Sequence, residues 1–244
     1  IPLTAYLTSQ PRVVNASSTR EKSTSSCGRQ SSLSSRGFHL KRPSRSAAVQ
    51  SPANANRNGK PVSSDTLNGW VSTAADNAEQ RMRDIAQKYV DGSINHAEWV
   101  IQSKDEIRKG VRGMAQLANG GKLDQKAISA VGNAVKAQYK FFNVFSNAVE
   151  NGEIELAQGL IGRAGLYGAN QYTQFQAFAR LGEKTAGVKQ ERNILGVRDN
   201  CVGCIRETGR GWVKIGSLVP IGSRDCRARC RCRYQYRDGS IATD

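Results

Sequence analysis

Apolar residues recur at intervals of three and four between about residues 65 and 190, which is the periodicity of amphipathic helices. The pattern predicts a first helix that has Ser64 or Asp65 as its N-cap and ends near Gly92. The second helix begins in the motif Asn95-His96-Ala97-Glu98, which resembles a capping box, and ends at Gly120-Gly121. Residues 65–190 are therefore expected to form a helical body.

Two further helical segments complete this body. The third begins at Asp124, is stopped by Gly152 and carries the most regular apolar stripe of the chain. That stripe consists of Ile128, Val131, Val135, Tyr139, Phe142, Phe145 and Val149. The fourth begins near Glu153 and contains four glycines at a spacing of three: Gly159, Gly162, Gly165 and Gly168. Each glycine costs up to about 1 kcal/mol of helix propensity, so we expect another backbone to approach this face closely, or the helix to break near Gly165.

The connections between these segments are short, so consecutive helices are expected to be antiparallel neighbours in an elongated bundle. Its core is expected to contain Phe142, Phe145, Phe175 and Phe178, because aromatic residues at helical spacing are usually core. Trp70 and Trp99 lie near helix starts, where each either closes the end of the bundle or faces a partner. The sequence has no run of 18 apolar residues, and we expect no membrane contact.

Five of the six cysteines lie within 32 residues near the C-terminus: Cys201, Cys204, Cys226, Cys230 and Cys232. A Cys-x-x-Cys turn and a second close pair can supply four thiolates to one tetrahedral ion. Basic residues around them would favour the ionised thiols. We therefore predict a structural Zn²⁺ held by four of the five, with the choice of four left open. Disulfides, such as Cys201 to Cys230, and free thiols are the alternatives; the lone Cys27 is expected to be inert.

The segment that carries these cysteines, residues 191–244, is predicted to be a small zinc-ribbon-like β cap. Residues 208–216 suggest a β-hairpin, residues 218–222 a turn and residues 231–236 a last strand. The fold class is thus mainly α, with a cysteine-rich β cap and an N-terminal arm.

The N-terminal arm, residues 1–64, contains 15 serines among prolines and isolated hydrophobic residues. Such a stretch cannot bury enough surface to fold alone. It holds ten Lys and Arg against one acid, and residues 190–237 hold 11 against 4, whereas residues 65–189 hold 15 against 13. The charge therefore indicates two contact surfaces on a nearly neutral body. We expect an extended arm that docks on neighbouring subunits; a disordered tail and a transit peptide are the alternatives.

The sequence gives little support for catalysis. Of its two histidines, His39 lies in the arm and His96 in the first turn of a helix, where we expect it to be solvated. No serine lies in a nucleophile-elbow sequence, and Gly120-Gly121 is not followed by the Lys-Ser or Lys-Thr of a phosphate-binding loop. We expect a protein that is not an enzyme.

The C-terminal segment is rich in arginine and tyrosine, which suits phosphate contact and base stacking. The candidate residues for contact with nucleic acid or a partner are Arg224, Arg227, Arg229, Arg231, Arg233, Tyr234, Tyr236 and Arg237. Alternating arginines on one strand face would place several guanidinium groups in a row. A zinc-stapled nucleic-acid-binding protein is therefore one functional hypothesis.

The order of features resembles the Mu F-like family of minor head, or head-morphogenesis, proteins of tailed bacteriophages. The likeness covers about residues 65–237 and is carried by Cys201-x-x-Cys204, a Gly-Trp turn, a proline-containing loop and Cys230-Arg231-Cys232. In the helical part it includes Glu98-Trp99, Gly120-Gly121, Gln138-Tyr139 and the run from Arg163 to Tyr167. The family's His-Pro before the last Cys-Arg-Cys is absent, and Cys226 lies near the place of that histidine, which makes a Cys₄ site the natural substitute.

This resemblance implies a low-copy structural component of the virion head or portal vertex. Such a protein would act in head assembly or in DNA packaging and ejection. Its partners would be capsid or portal subunits, reached here through the N-terminal arm, with packaged DNA as a further partner.

Overall fold

The computed structural model of the chain describes residues 62–196 and 200–238. These residues belong to one compact unit and are mainly helical, with a small three-stranded antiparallel sheet near the C-terminus. The helices before the sheet are α1 (Ser64–Val90), α2 (His96–Ala118), α3 (Gln125–Glu150), α4 (Gln158–Ala169) and α5 (Gln171–Thr185). They are followed by β1 (Gln190–Ile194), α6 (Val202–Gly209), β2 (Val213–Lys214), a 3₁₀ turn (Arg227–Arg229) and β3 (Arg233–Arg237).

The predicted arm lies outside the described residues except for its last three positions, and so do Cys27 and His39. Within the described part of the chain, no helix is long and apolar enough to cross a membrane.

The first three helices begin where side chains cap their free N–H groups. Ser63 caps α1 by accepting a hydrogen bond from a first-turn N–H at 3.1 Å, at a position next to the predicted cap. Asn95 and Glu98 form the predicted capping box of α2, with reciprocal hydrogen bonds of 3.0 and 2.9 Å. Asp124 caps α3 as predicted, at 2.7 Å. Local sequence alone therefore sets these helix starts.

Buried aromatic rings pack α2, α3 and α4 together. Trp99 of α2 is fully buried and stacks on Tyr89 of α1, with ring centroids 5.0 Å apart. Its indole also contacts Phe142 and Phe145 of α3 at 5.4 and 5.6 Å. Tyr167 of α4 packs against both phenylalanines. Contacts of this kind add to the free energy gained from burying the ring area.

The predicted core residues Phe142, Phe145, Phe175 and Phe178 are all buried, which confirms that assignment. The apolar stripe of α3 is buried only in its second half, because Ile128 near the helix start remains 50% exposed.

The two tryptophans near helix starts differ in exposure, since Trp70 is 47% exposed and Trp99 is fully buried. The expectation for His96 was wrong: it is half-buried, and its Nε2 lies 3.1 Å from the carbonyl oxygen of Ser146.

One glycine of α4, Gly168, explains how closely this helix packs on α1. A Cβ atom at Gly168 would lie 2.3 Å from the backbone of Ala78 and Glu79, so only glycine fits there. At Gly162, by contrast, a Cβ would have no neighbour within 4 Å. The predicted close backbone approach is confirmed at Gly168. The helix does not break near Gly165. Instead, α4 continues to Ala169, and α5 begins at Gln171, directly after Asn170.

The sheet has the order β2-β1-β3, and β1 pairs antiparallel with both neighbours. The predicted hairpin at residues 208–216 was wrong, because Thr208 and Gly209 end α6 and Val213–Lys214 pairs with β1. The predicted last strand is present as β3. Neither β1 nor α6 was anticipated from the sequence.

Candidate metal centre

Five cysteines converge from the start of α6 and from the residues around the 3₁₀ turn. Cys201 is the N-cap of α6, and its Sγ accepts a hydrogen bond from the backbone N–H of Cys204 at 3.4 Å. Cys226 and Cys230 flank the 3₁₀ turn, and Cys232 directly precedes β3. The Cys-x-x-Cys pair thus opens a helix, and the N-terminal end of a helix favours thiolates.

The sulfur atoms are spaced as ligands of one centre. Cys226 Sγ lies 3.5 Å from the Sγ of both Cys201 and Cys204, and Cys204 Sγ lies 3.6 Å from that of Cys230. Two groups of three, Cys201/Cys204/Cys226 and Cys204/Cys230/Cys232, each have all their sulfurs within 4.8 Å of one another. A Zn–S bond of about 2.3 Å places tetrahedral sulfurs about 3.8 Å apart. The cluster can therefore hold a metal ion, and Cys204 belongs to both groups.

The five described cysteines are free thiols, so the alternative bridge between Cys201 and Cys230 is not present. Cys204, Cys230 and Cys232 are each about 1% exposed. Three thiols in contact and away from water need either protons or a cation, since buried thiolates repel one another.

The cluster divides into thiols that ionise readily and thiols that do not. A hydrogen bond with Cys230 lowers the pKa of Cys232 to about 5, against the opposing effect of burial. The same hydrogen bond and burial raise the pKa of Cys230. Burial also raises the pKa of Cys204. At Cys201 burial opposes ionisation, but hydrogen bonds with Cys204 and Cys226 outweigh it and lower the pKa.

Arg224 supplies a buried positive charge beside the cluster. Its Nη1 donates to Cys204 Sγ at 3.7 Å and to Asn193 Oδ1 at 2.8 Å, while Nε and Nη2 donate to the carbonyl oxygen of Val219. The residue is only 5% exposed. The prediction that Arg224 contacts nucleic acid or a partner was therefore wrong; its position suits offsetting the negative charge of thiolates.

The arginines around Cys232 attach the cluster to the helical body. Arg231 Nη2 donates to Asp76 Oδ1 of α1 at 2.9 Å, and its guanidinium lies 5.1 Å from the ring of Tyr172 in α5. Arg233 Nη1 donates to Asp65 Oδ1 of α1 at 2.7 Å. These two predicted contact residues therefore bind the chain's own acids. Partly exposed salt bridges of this kind add little to the free energy of unfolding, so their main effect is to orient the cluster on the helices.

Tyr234 is also turned inward. It is buried, its hydroxyl accepts a hydrogen bond from Ile221 N at 2.9 Å, and Arg180 lies over its ring at 4.7 Å. Tyr236, two residues further along β3, lies on the same face of the sheet, and its hydroxyl is also buried. The prediction that Tyr234 stacks on bases was wrong, because the residue is only 8% exposed. Of the remaining predicted contact residues, Arg227, Arg229 and Arg237 are exposed.

Sequence reasoning missed the polar groups that support this site from β1. Asn193 is 1% exposed, and its Nδ2 donates to Thr208 Oγ1 of α6 at 2.6 Å, while its Oδ1 accepts from Arg224. It therefore joins the strand, the helix of Cys204 and the buried arginine. A strand that buries Asn and Glu has no apolar alternation, so no sequence signal for it existed.

Comparison with protein-family models, with curated proteins and with solved structures finds no match to this chain. Its function is therefore inferred from its residues and their contacts.

Proposed function

We propose that this chain is a structural protein of a tailed-phage virion, a minor head or portal-associated component that acts without catalysis in head assembly or in DNA packaging and ejection. The observation that carries the proposal is the convergence of Cys201-x-x-Cys204 with Cys230-Arg231-Cys232, the two motifs on which the family resemblance rests, in one cluster. The helical body that precedes them supports the same comparison.

We propose Zn²⁺ as the metal, held by four of the five cysteines. Thiolates select soft cations, and an all-thiolate tetrahedral set is typical of structural zinc. Such a set leaves no coordination position for water, so the ion would stabilise the fold rather than activate a substrate. Arg224 beside Cys204 suits the net charge of −2 of a Zn(Cys)₄ centre.

The contacts with neighbouring subunits are proposed to involve residues 1–64 and the exposed face of α6. Val202 and Ile205 lie three residues apart on α6 and are 77% and 55% exposed, next to the cysteine cluster. Apolar side chains this exposed suit a contact with another protein. Capsid or portal subunits would be the partners, and the virion head or portal vertex the location.

Metal analysis of the purified protein tests the zinc site. We expect close to one Zn²⁺ per chain by inductively coupled plasma mass spectrometry. Removal with a strong chelator should unfold the cysteine-bearing part, since metal binding and folding of such sites are coupled, while the far-ultraviolet helical signal largely persists. Less than half an equivalent of metal, together with disulfides mapped by mass spectrometry, would refute the site.

Particle composition tests the virion role. Quantitative mass spectrometry of gradient-purified particles from the organism that produces this chain should detect it at a copy number well below that of the major capsid protein. A chain lacking residues 1–60 should keep its helical circular dichroism but be lost from particles, and Val202→Ser/Ile205→Ser should reduce incorporation. Val144→Ser, which removes a 59% exposed side chain of α3, is the matched control. Absence of the wild-type chain from particles would disprove the role.

A further inference from the structure

The outward face of the small sheet carries a pair of arginines that are held in the same way. Arg192 of β1 stands opposite Gln235 of β3, and Gln190 of β1 stands opposite Arg237 of β3. Arg192 Nε donates to Gln235 Oε1 at 2.8 Å, and Arg237 Nε donates to Gln190 Oε1 at 2.6 Å. Each guanidinium is thus fixed through Nε by the glutamine across the strand.

Trp212, just before β2, completes this arrangement. The guanidinium carbon of Arg192 lies 4.7 Å from its ring centroid and that of Arg237 4.4 Å. Cation–π contact and the Nε hydrogen bonds leave the terminal amino groups of both arginines as the groups able to bind a ligand. The arginines are therefore preorganised, and little side-chain entropy remains to be lost on binding.

The charge of this face is positive, and within the described part of the chain its cations have no acidic partner. Lys214 of β2 pairs with Gln190 in register and so lies on the same face as Arg237. Among residues 62–196 and 200–238, no carboxylate lies within ion-pair distance of Arg192, Lys214 or Arg237. Arg231 and Arg233 differ from these cations, because each of them already forms a salt bridge with an acidic residue of α1.

We propose that this sheet face, consisting of Gln190, Arg192, Trp212, Lys214, Gln235 and Arg237, binds the phosphate backbone of a nucleic acid. Paired guanidinium forks match phosphate oxygens, and a row of cations without acids suits a polyanion. An interface with a protein would need an apolar core, and the one aromatic ring of this face is covered by the two arginines. This site is distinct from the arginines and tyrosines suggested by the sequence, of which only Arg237 takes part.

Fluorescence anisotropy of the full-length protein with a labelled 20-nucleotide single strand and a 20-base-pair duplex tests the proposal. Arg192→Gln/Arg237→Gln should weaken binding on the order of tenfold and lower the salt slope by about 2, since each phosphate contact contributes about 0.9. The two probes distinguish single from double strands as the source of the phosphates. Residues 1–61 are unchanged in every variant, so differences between variants report on the sheet.

The matched control is Lys136→Gln/Lys140→Gln, which removes two exposed cations from α3 and should change affinity less than twofold. Trp212→Ala keeps the net charge but frees the arginines, so it should also weaken binding, and Trp212→Phe should restore most of it. Lys214→Gln, at an exposed position, should weaken binding about threefold even if the double variant fails to fold. Equal losses in the sheet and α3 variants, or equal binding to polyglutamate, would overturn the proposal.

Discussion

The guanidinium of Arg231 donates a hydrogen bond from Nη2 to Oδ1 of Asp76 at 2.9 Å, which joins the residue between Cys230 and Cys232 to helix α1. Tyr172 of α5 reinforces the connection, because its hydroxyl donates to the carbonyl oxygen of Arg231 at 3.3 Å. The position of the cysteine cluster relative to the helices therefore depends on contacts that lie outside the cluster.

Replacing Asp76 by Asn should remove the ion pair and cost about 0.5–1 kcal/mol, because Asp76 is half exposed and Arg231 keeps its contact with Tyr172. Urea unfolding measures this difference. Asp84→Asn is the control, since Asp84 lies on the same helix and accepts a hydrogen bond from Gln80 one turn away. A loss as large in Asp84→Asn would mean that the helix, and not the ion pair, was affected.

We expect metal binding at the proposed zinc site to depend most on Cys204, because this cysteine belongs to both groups of three sulfurs. Cys204→Ser is expected to lower bound zinc to below a tenth of an equivalent. Cys27→Ser, which changes the cysteine that is far from the other five in the sequence, should leave one equivalent. Metal analysis of both variants under reducing conditions gives the answer, and full metal retention in Cys204→Ser would contradict the assignment.

Gly168→Ala should destabilise the protein by about 3 kcal/mol, because the added methyl group would meet the backbone of α1 at 2.3 Å. Gly162→Ala is the matched control in the same helix. It has open space around it, so we expect it to stabilise by about 0.5–1 kcal/mol. Urea unfolding of both variants checks the difference in sign; two stabilised variants would show that α4 does not pack closely on α1.

Glu191→Gln should cost about 3–5 kcal/mol, since it leaves Arg180 without its buried carboxylate partner. Glu191 is fully buried and also accepts hydrogen bonds from the backbone N–H groups of Gly216 and Leu218, at 3.0 and 3.2 Å. Glu79→Gln, which breaks a more exposed pair with Arg83, should cost only about 0.5 kcal/mol. Similar losses for the two variants in urea unfolding would show that the Arg180–Glu191 pair adds little.

The helical body was predictable because its signals are local. The caps at Asn95 and Asp124 and the apolar spacing around Phe142 act within one or two turns of helix, so the sequence alone indicates them. The cysteine cluster was predictable for a related reason, since Cys201-x-x-Cys204 and Cys230-x-Cys232 each place two thiols on one side of a short segment.

The sequence by itself therefore determined the first three helices, the helical character of the segment that forms α4 and α5, the last strand and the identity of the clustered cysteines. Only the tertiary structure decided β1 and α6, because β1 buries Glu191 and Asn193, whose burial is stable only with Arg180 and Arg224 as partners. The tertiary structure also decided which arginines remain available to bind a ligand. Alternation along a strand shows which side chains share a face, but whether a guanidinium meets a carboxylate, a thiol or solvent depends on elements far away in the chain.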